Sequence, residues 1–232
     1  MRFLAIFAAL LLQAQTVPQQ AQTAPQPPQT MPQPAQTSPQ PTQSSPEPAQ
    51  TYPQPFDREG STKVMENDRV IVWDVSWLQR SYPTHRHLYD YAGVYYTSGD
   101  RVVVPLDGSR RPTHTNAWDT FFIRKGVTHH EEGVGTEPLK AIFLELKEPA
   151  ALGAPATAST GLGKNVRESD RLTIWEDLAA QDTQPPAHHH EMDTVVAAFV
   201  GGKPKITFIK RGTVDHGEEC AGADRTYFFE LK

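Results

Sequence analysis

The sequence of 232 residues contains a single cysteine, Cys220, so no disulfide can form within one chain. Basic residues are not clustered and the net charge is -5, which gives nucleic-acid binding no support. Glycine-rich phosphate loops and the GxSxG pattern are absent. Amphipathic helices are absent too, apart from one candidate turn at 176–182. We expect Cys220 to be a small packed residue; a catalytic thiol with His216 as its base is the alternative.

The first 21 residues have the layout of a secretory signal peptide. Arg2 precedes an apolar run from Phe3 to Leu12, and small and polar residues follow. The run is shorter than the roughly 20 apolar residues that span a membrane as a helix, and no cysteine follows it to carry a lipid anchor. We therefore expect residues 1–21 to be cleaved, leaving a secreted or periplasmic protein without a membrane span. A retained N-terminal anchor is the alternative.

The next segment, 22–57, is dominated by Pro, Gln, Thr and Ala. Between Thr16 and Pro55 it has no Lys or Arg and one acid, Glu47. Such a composition cannot bury enough apolar surface to offset the entropy lost on ordering, which predicts a disordered, extended linker. Its alternative role is a proline-rich ligand for a partner. We place two folded units at 58–150 and 169–232, with a small-residue linker at 151–168.

An internal repeat organises the chain after the linker. DRVIVW at 68–73 matches DRLTIW at 170–175, and each is followed by a histidine cluster. FFIRKGVTHHEEG at 121–133 matches TFIKRGTVDHGEE at 207–219, and KAIFLELK at 140–147 matches RTYFFELK at 225–232. Matched features in the same order indicate a duplicated unit. The second copy is shorter because it lacks a counterpart of 105–120, which reads as a long hairpin or lid.

Both halves have the pattern of short β-strands. Their apolar runs are rich in β-branched and aromatic residues and are bounded by Gly, Pro, Asp or Asn. Many short strands separated by turns predict an all-β sandwich or barrel. We expect Tyr89, Tyr91, Tyr95 and Trp118 to belong to the barrel core.

Two histidine clusters stand out. His85 and His87 are two residues apart and would share one face of a strand, and His188 and His190 repeat this spacing. Two imidazoles on one face can hold a divalent transition metal if another strand supplies a third donor. His129, three residues after Gly126, is the candidate third donor. The alternative is that these are solvated loop histidines.

The pattern resembles the cupin superfamily. His85, His87 and Gly99 match its first motif, in which H-x-H is followed by an acid and then a glycine. Gly126 and His129 match its second motif. The resemblance covers residues 67–232 and implies two double-stranded β-helix barrel units in tandem. It also implies a metal inside the barrel, held by the histidines and the acid.

The chain departs from the cupin motifs at several positions. The acid would fall at Tyr91 or Ala92; Asp90 lies one position early, and so does Asp193 in the second half. Either a bulge turns Asp90 inward as a ligand, or it serves a turn and the site has three histidines, which we favour. Where the family has a proline before the second-motif glycine, the chain has Arg124 and Lys125.

The second half repeats the site in a weaker form. Asp215 takes the place of His129. Its donor set would be His188, His190 and Asp215, with a vestigial site as the alternative. We expect Glu131 and Glu132 to lie in a solvated turn, although one could face the cavity, and His114 to lie on the surface.

These observations leave several functions open. The metal would be Zn, Fe, Mn, Ni or Cu. The resemblance implies a metal-dependent enzyme, such as an oxygenase or isomerase, acting on a small molecule. A non-catalytic protein that binds a small ligand and a structural protein without a functional metal are the alternatives, and a homodimer is compatible with each.

Overall fold

The computed structural model describes residues 51–147, 162–178, 188–215 and 217–232. Its regular elements are β-strands, and the one helical element among these residues is a 3-10 turn, Glu218–Cys220. The all-β prediction is confirmed. No helix within the described ranges is long and apolar enough to cross a membrane. The predicted signal peptide at 1–21 and most of the predicted linker at 22–57 lie outside these ranges and stay predictions.

The first half, 51–147, contains two antiparallel sheets. The larger has the order β1-β2-β9-β4-β7 and the smaller has the order β3-β8-β5-β6. The strands are β1 (Ser61–Glu66), β2 (Val70–Trp77), β3 (His85–Arg86), β4 (Asp90–Tyr95), β5 (Gly99–Pro105), β6 (Arg111–Thr115), β7 (Thr120–Ile123), β8 (Thr128–Gly133) and β9 (Leu139–Leu146). The chain crosses between the sheets several times, as in a double-sheet jelly roll.

The second half, 162–232, repeats the larger sheet. Its five-stranded sheet has the order β10-β11-β16-β13-β14, which matches β1-β2-β9-β4-β7 strand for strand, and β12 pairs with β15 as β3 pairs with β8. The strands are β10 (Lys164–Glu168), β11 (Leu172–Asp177), β12 (His188–His189), β13 (Asp193–Val200), β14 (Lys203–Ile209), β15 (Val214–Asp215) and β16 (Arg225–Leu231). Within the described part of this half, β5 and β6 have no counterpart. This order supports the predicted internal repeat.

Alternation along the strands builds two separate apolar cores in the first half. On β2, Val70 and Val72 pack against the second half, whereas Val75 and Trp77 face the interior of the first barrel. The larger sheets of the two halves share a core through residues with at most 5% exposure. Its members include Ile142, Leu144, Ile174, Val195 and Phe229. The outer faces of the two larger sheets therefore pack against each other, and the face of the first sheet that lines its barrel can contribute residues to a site.

The first strand of each larger sheet was not predicted from the sequence. β1 and β10 are edge strands with mostly exposed or half-exposed residues, so they lack the apolar alternation that marks a half-buried strand. Both carry a register shift at the same place, between Lys63 and Met65 and between Asn165 and Arg167. β10 lies inside the range 151–168 that the sequence assigned to a linker. The second sheet thus begins at Lys164.

Candidate metal centre

Two short strands position the histidines of the first half. β3 pairs with β8 so that His85 lies opposite His129. His87 follows β3 and donates its backbone N–H to the carbonyl of Val127, while the N–H of Gly126 donates to the carbonyl of His87 at 2.8 Å. Gly126 has a φ of 92°, a left-handed conformation that favours glycine. The glycine turn before β8 therefore brings His87 beside the pair.

The three histidine side chains converge inside the barrel. His85, His87 and His129 are 3%, 3% and 7% exposed, and one ligand atom from each lies within 4.8 Å of the others. Their ring centroids are 4.7 to 5.2 Å apart. Among the described residues, this is the one group of three or more potential ligands that meets this distance. The geometry is compatible with a divalent metal ion.

Hydrogen bonding leaves the imidazoles available as ligands. Nδ1 of His85 lies 3.1 Å from the carbonyl oxygen of Pro83; an Nδ1–H donated there leaves the Nε2 lone pair for a metal. Nδ1 of His87 and Nε2 of His129 are buried without a hydrogen-bond partner in the described structure. Buried polar atoms are normally satisfied, and a bound cation would satisfy lone pairs of this kind.

Burial keeps the three imidazoles in the form that binds metals. Desolvation lowers the pKa of His85. Desolvation, with the neighbouring His85 and His129, lowers the pKa of His87 to about 3. Desolvation likewise lowers the pKa of His129 to about 4. Neutral imidazole is the ligating form, so the protein matches the charge state that a metal requires.

A buried carboxylate adjoins the histidines. Glu131 accepts hydrogen bonds from Arg101 Nη1 at 2.9 Å and from Trp77 Nε1 at 2.8 Å, and Arg101 also donates to the Tyr95 hydroxyl at 2.7 Å. Burial opposes ionisation of Glu131, but Arg101, His129 and the Trp77 hydrogen bond outweigh it and lower its pKa. This side chain is held as a carboxylate by an arginine.

The alternation of β8 would have predicted that Glu131 faces the cavity. It lies two residues after His129 on β8, whose burial alternates from residue to residue, so both side chains share one face. Of the two glutamates expected in a solvated turn, Glu131 is the one that faces the cavity. Glu132 points outward and forms an ion pair with Arg110.

The histidines open onto a cavity of about 200 Å³. Tyr91 stacks on His87 with 4.0 Å between ring centroids and 14° between planes, and burial raises the pKa of its phenol well above the usual value. Tyr91 and Tyr95 are therefore both core residues and cavity walls. The aromatic lining is Phe56, Tyr91, Tyr95, Phe121 and Phe143, and the polar lining is His85, His87, Arg101, His129 and Glu131.

Asp90 lies outside the histidine group. Its Oδ1 accepts a hydrogen bond from the backbone N–H of Lys125 at 2.8 Å. Its Oδ2 accepts from Arg171 at 3.0 Å and from Arg124 at 3.2 Å. The carboxylate is thus engaged by cations and a backbone donor on the face that meets the second half, and it is not among the converging ligand atoms.

The second half repeats the backbone frame of the site. His188 lies opposite Asp215 in the β12–β15 ladder, as His85 lies opposite His129. His190 is fully buried, with Nδ1 3.1 Å from the Thr194 hydroxyl. The side chains of His188 and Asp215 lie outside what the structure describes, so the weaker site stays a prediction. Gly217 stands where the first half has Glu131.

Other residues singled out from the sequence lie away from the histidines. His114 is on the surface, paired with Asp100. Trp118 packs against Phe199 and Tyr227 of the second half, so it belongs to the core between the halves. Cys220 is buried and free of disulfides.

Comparison with known proteins returns matches to solved structures only. No family model matches the sequence, and no curated protein matches it. A cupin domain from Bordetella pertussis is 22% identical, with a TM-score of 0.36, and the match covers 38% of this chain and 91% of that one. AerE from Microcystis aeruginosa is 13% identical, with a TM-score of 0.48 and coverage of 74% and 96%.

A third match is a cupin 2 conserved barrel domain protein from Leptotrichia buccalis. It is 16% identical, with a TM-score of 0.42 and coverage of 74% of this chain and 88% of that one. The chain's own strand order is that of a double-sheet jelly roll, the architecture to which cupins also belong. The likeness to these structures concerns the fold alone.

Proposed function

We propose that this protein binds one divalent transition metal ion through His85, His87 and His129, and binds a small molecule beside it. The observation that carries the proposal is the convergence of three buried imidazoles at the wall of a cavity. Histidine ligands suit Zn, Fe, Ni and Cu. A metal on three protein ligands keeps coordination positions open, where it can polarise a bound oxygen atom.

The cavity sets the scale of the ligand. Pockets for drug-sized molecules measure roughly 300 to 1,000 Å³, so a cavity of about 200 Å³ suits a smaller molecule. Its aromatic walls suit an apolar body, and Arg101 supplies hydrogen-bond donors at the same wall. We therefore expect the ligand to be small, partly apolar and able to reach the metal.

Metal analysis of the purified chain tests the proposal. Protein prepared without chelators and then loaded with Zn²⁺ or Co²⁺ should hold one ion per chain. His85→Ala and His129→Ala should each lose it. His130→Ala is the matched control, because His130 neighbours His129 but points away from the group, with Nε2 3.5 Å from Glu132. An ion that remains bound in both first variants, or none in the wild type, would refute the site.

Binding without turnover is the second candidate, and one observation favours it. Glu131 is the carboxylate that lines the cavity, and both of its oxygens are engaged, by Arg101 and Trp77. The buried ion pair with Arg101 stabilises the ionised carboxylate, which makes Glu131 a weaker general base than an unpaired glutamate. Oxygen uptake and product analysis with the iron-loaded protein separate the two: turnover that needs His85 supports an enzyme, and stoichiometric binding alone supports a ligand-binding protein.

Export and self-association are further proposals. Residues 1–21 have the layout of a signal peptide, and a homodimer remains compatible with the fold. N-terminal sequencing of protein recovered from the periplasm or medium should begin after residue 14 or 21. Light scattering of the mature chain measures its oligomeric state.

A further inference from the structure

The segment before the first strand contributes a side chain to the barrel interior. Phe56 precedes β1 by several residues, yet it is only 5% exposed. Its ring centroid lies 5.3 Å from that of Trp73, 5.2 Å from that of Phe143 and 6.0 Å from that of His87. A residue outside both sheets therefore reaches almost to the candidate metal ligands.

Phe56 lies between two spaces. One is the histidine cavity of about 200 Å³, and the other is a larger vestibule of about 690 Å³. Among the described residues, Pro55 and Phe56 alone line both spaces. The vestibule also has aromatic walls, Trp73 and Tyr89. Phe56 therefore lies at the boundary between the two spaces.

Side-chain packing holds this segment in place. Residues 53–57 belong to no described strand, and Pro55 and Phe56 form a turn. Anchoring begins at Arg58, whose Nη1 donates to the carbonyl of Ser76 at 3.1 Å and whose guanidinium lies 3.8 Å from the Tyr82 ring centroid. Phe56 can therefore change position without breaking a strand ladder.

We propose that Phe56 is a partition that limits the size of the molecule bound at the histidines. With the ring in place, a ligand is confined to the inner cavity. With the ring displaced or removed, the two spaces join, and a ligand can bind the metal while its apolar part occupies the vestibule beside Trp73 and Tyr89. This assignment depends on the proposed metal site for its functional meaning.

Two imidazoles of different size test the partition. The Co²⁺-loaded protein is titrated with imidazole and with 4-phenylimidazole, and the visible absorption of Co²⁺ reports coordination. We expect wild type to favour imidazole by at least about tenfold. Phe56→Ala should improve 4-phenylimidazole binding by about tenfold or more and change imidazole binding by less than about threefold.

Two further variants control this measurement. Phe56→Leu keeps an apolar side chain at the partition and should retain most of the discrimination. Leu88→Ala shortens an exposed apolar side chain next to His87 that lines neither space, and it should behave as wild type. Equal discrimination in wild type and Phe56→Ala would overturn the partition.

A second measurement needs no metal. Diethyl pyrocarbonate modifies histidines, and peptide mass spectrometry follows each position in the metal-free protein. Phe56→Ala should accelerate modification of His87 several-fold and leave exposed His114 unchanged. Failure of Co²⁺ to load would refute the proposed function, while this reaction would still decide the partition: an unchanged rate at His87 would overturn it. Thermal melting confirms that each variant is folded.

Discussion

Asp90 of the first half accepts a hydrogen bond from Arg171 of the second half, with 3.0 Å between Oδ2 and Nη1. The relationship is reciprocal, because Arg69 of the first half donates to Asp193 of the second half at 3.0 Å. Each arginine also lies within hydrogen-bonding distance of backbone carbonyls that end the last strand of the other half. Aspartates at matched positions therefore join the two halves across the shared core.

Replacing Asp90 should lower the free energy of unfolding and leave metal binding unchanged. In Asp90→Ala the Arg171 guanidinium loses its carboxylate partner at a buried position, where removing one member of an ion pair costs roughly 3 to 5 kcal/mol. Urea denaturation should show that loss, and metal analysis of the folded variant should still find one ion. A stable variant without metal would make Asp90 a ligand.

Arg124 provides the control for this variant. It also donates to Asp90, but its side chain is 56% exposed and its second partner is the exposed Asp170. Exposed ion pairs contribute about 0 to 1 kcal/mol. Arg124→Ala should therefore change the free energy of unfolding by less than about 1 kcal/mol.

Much of the fold could be predicted because its strands alternate. β2, β4 and β9 combine apolar and β-branched residues with turn residues at their ends, and the repeat aligned them with β11, β13 and β16. β1 and β10 could not be predicted, because their mostly exposed residues lack the apolar alternation of a half-buried strand. The core between the halves could not be predicted either. Strand periodicity shows that a face is buried, but it does not show which sheet covers that face.

The candidate site, too, could be predicted only in part from the sequence. His85 and His87 could be predicted from spacing, because i and i+2 residues share a face. His129 was predicted from the glycine three residues before it and from the cupin resemblance. The role of Asp90 could not, because it depends on Arg171, which is 81 residues away in sequence. Phe56 was placed in a disordered linker by composition, since Pro and Gln surround it; one aromatic side chain overrides that composition by packing inside the barrel.

Metal removal should destabilise the protein. A ligand that binds only the folded state stabilises it by about 2.7 kcal/mol when its free concentration is 100 times the dissociation constant. Melting curves with and without a chelator should differ for wild type and coincide for His129→Ala. Chelator-insensitive melting of metal-loaded wild type would contradict a bound ion at the histidines.

Glu145 should make stability depend on pH. Burial raises its pKa, although Trp73, Lys63 and Lys147 act in the opposite direction. The folded state therefore holds the proton more tightly than the unfolded chain, whose glutamates titrate near about 4.3. Stability from this group is present below that pH and is lost as pH rises towards the folded pKa.

Glu145→Gln isolates that effect. Glutamine keeps an oxygen that can accept the Trp73 Nε1–H, which lies 2.9 Å from the carboxylate, but it does not ionise. The difference in unfolding free energy between variant and wild type should move in favour of the variant as pH rises from 4 to 7. Urea denaturation at several pH values measures it, and a constant difference would contradict a raised pKa.

The second half should not bind a metal of its own, because Asp215 stands where the first half has its third histidine, His129. His190, the counterpart of His87, is fully buried beside the Thr194 hydroxyl, at 3.1 Å. A buried polar group that is left without its hydrogen-bond partner lowers the stability of the protein by about 1 to 3 kcal/mol. His190→Ala should therefore lower the melting temperature while metal analysis still returns one ion per chain. Two ions in wild type and one in His190→Ala would instead establish a second working site at His188, His190 and Asp215.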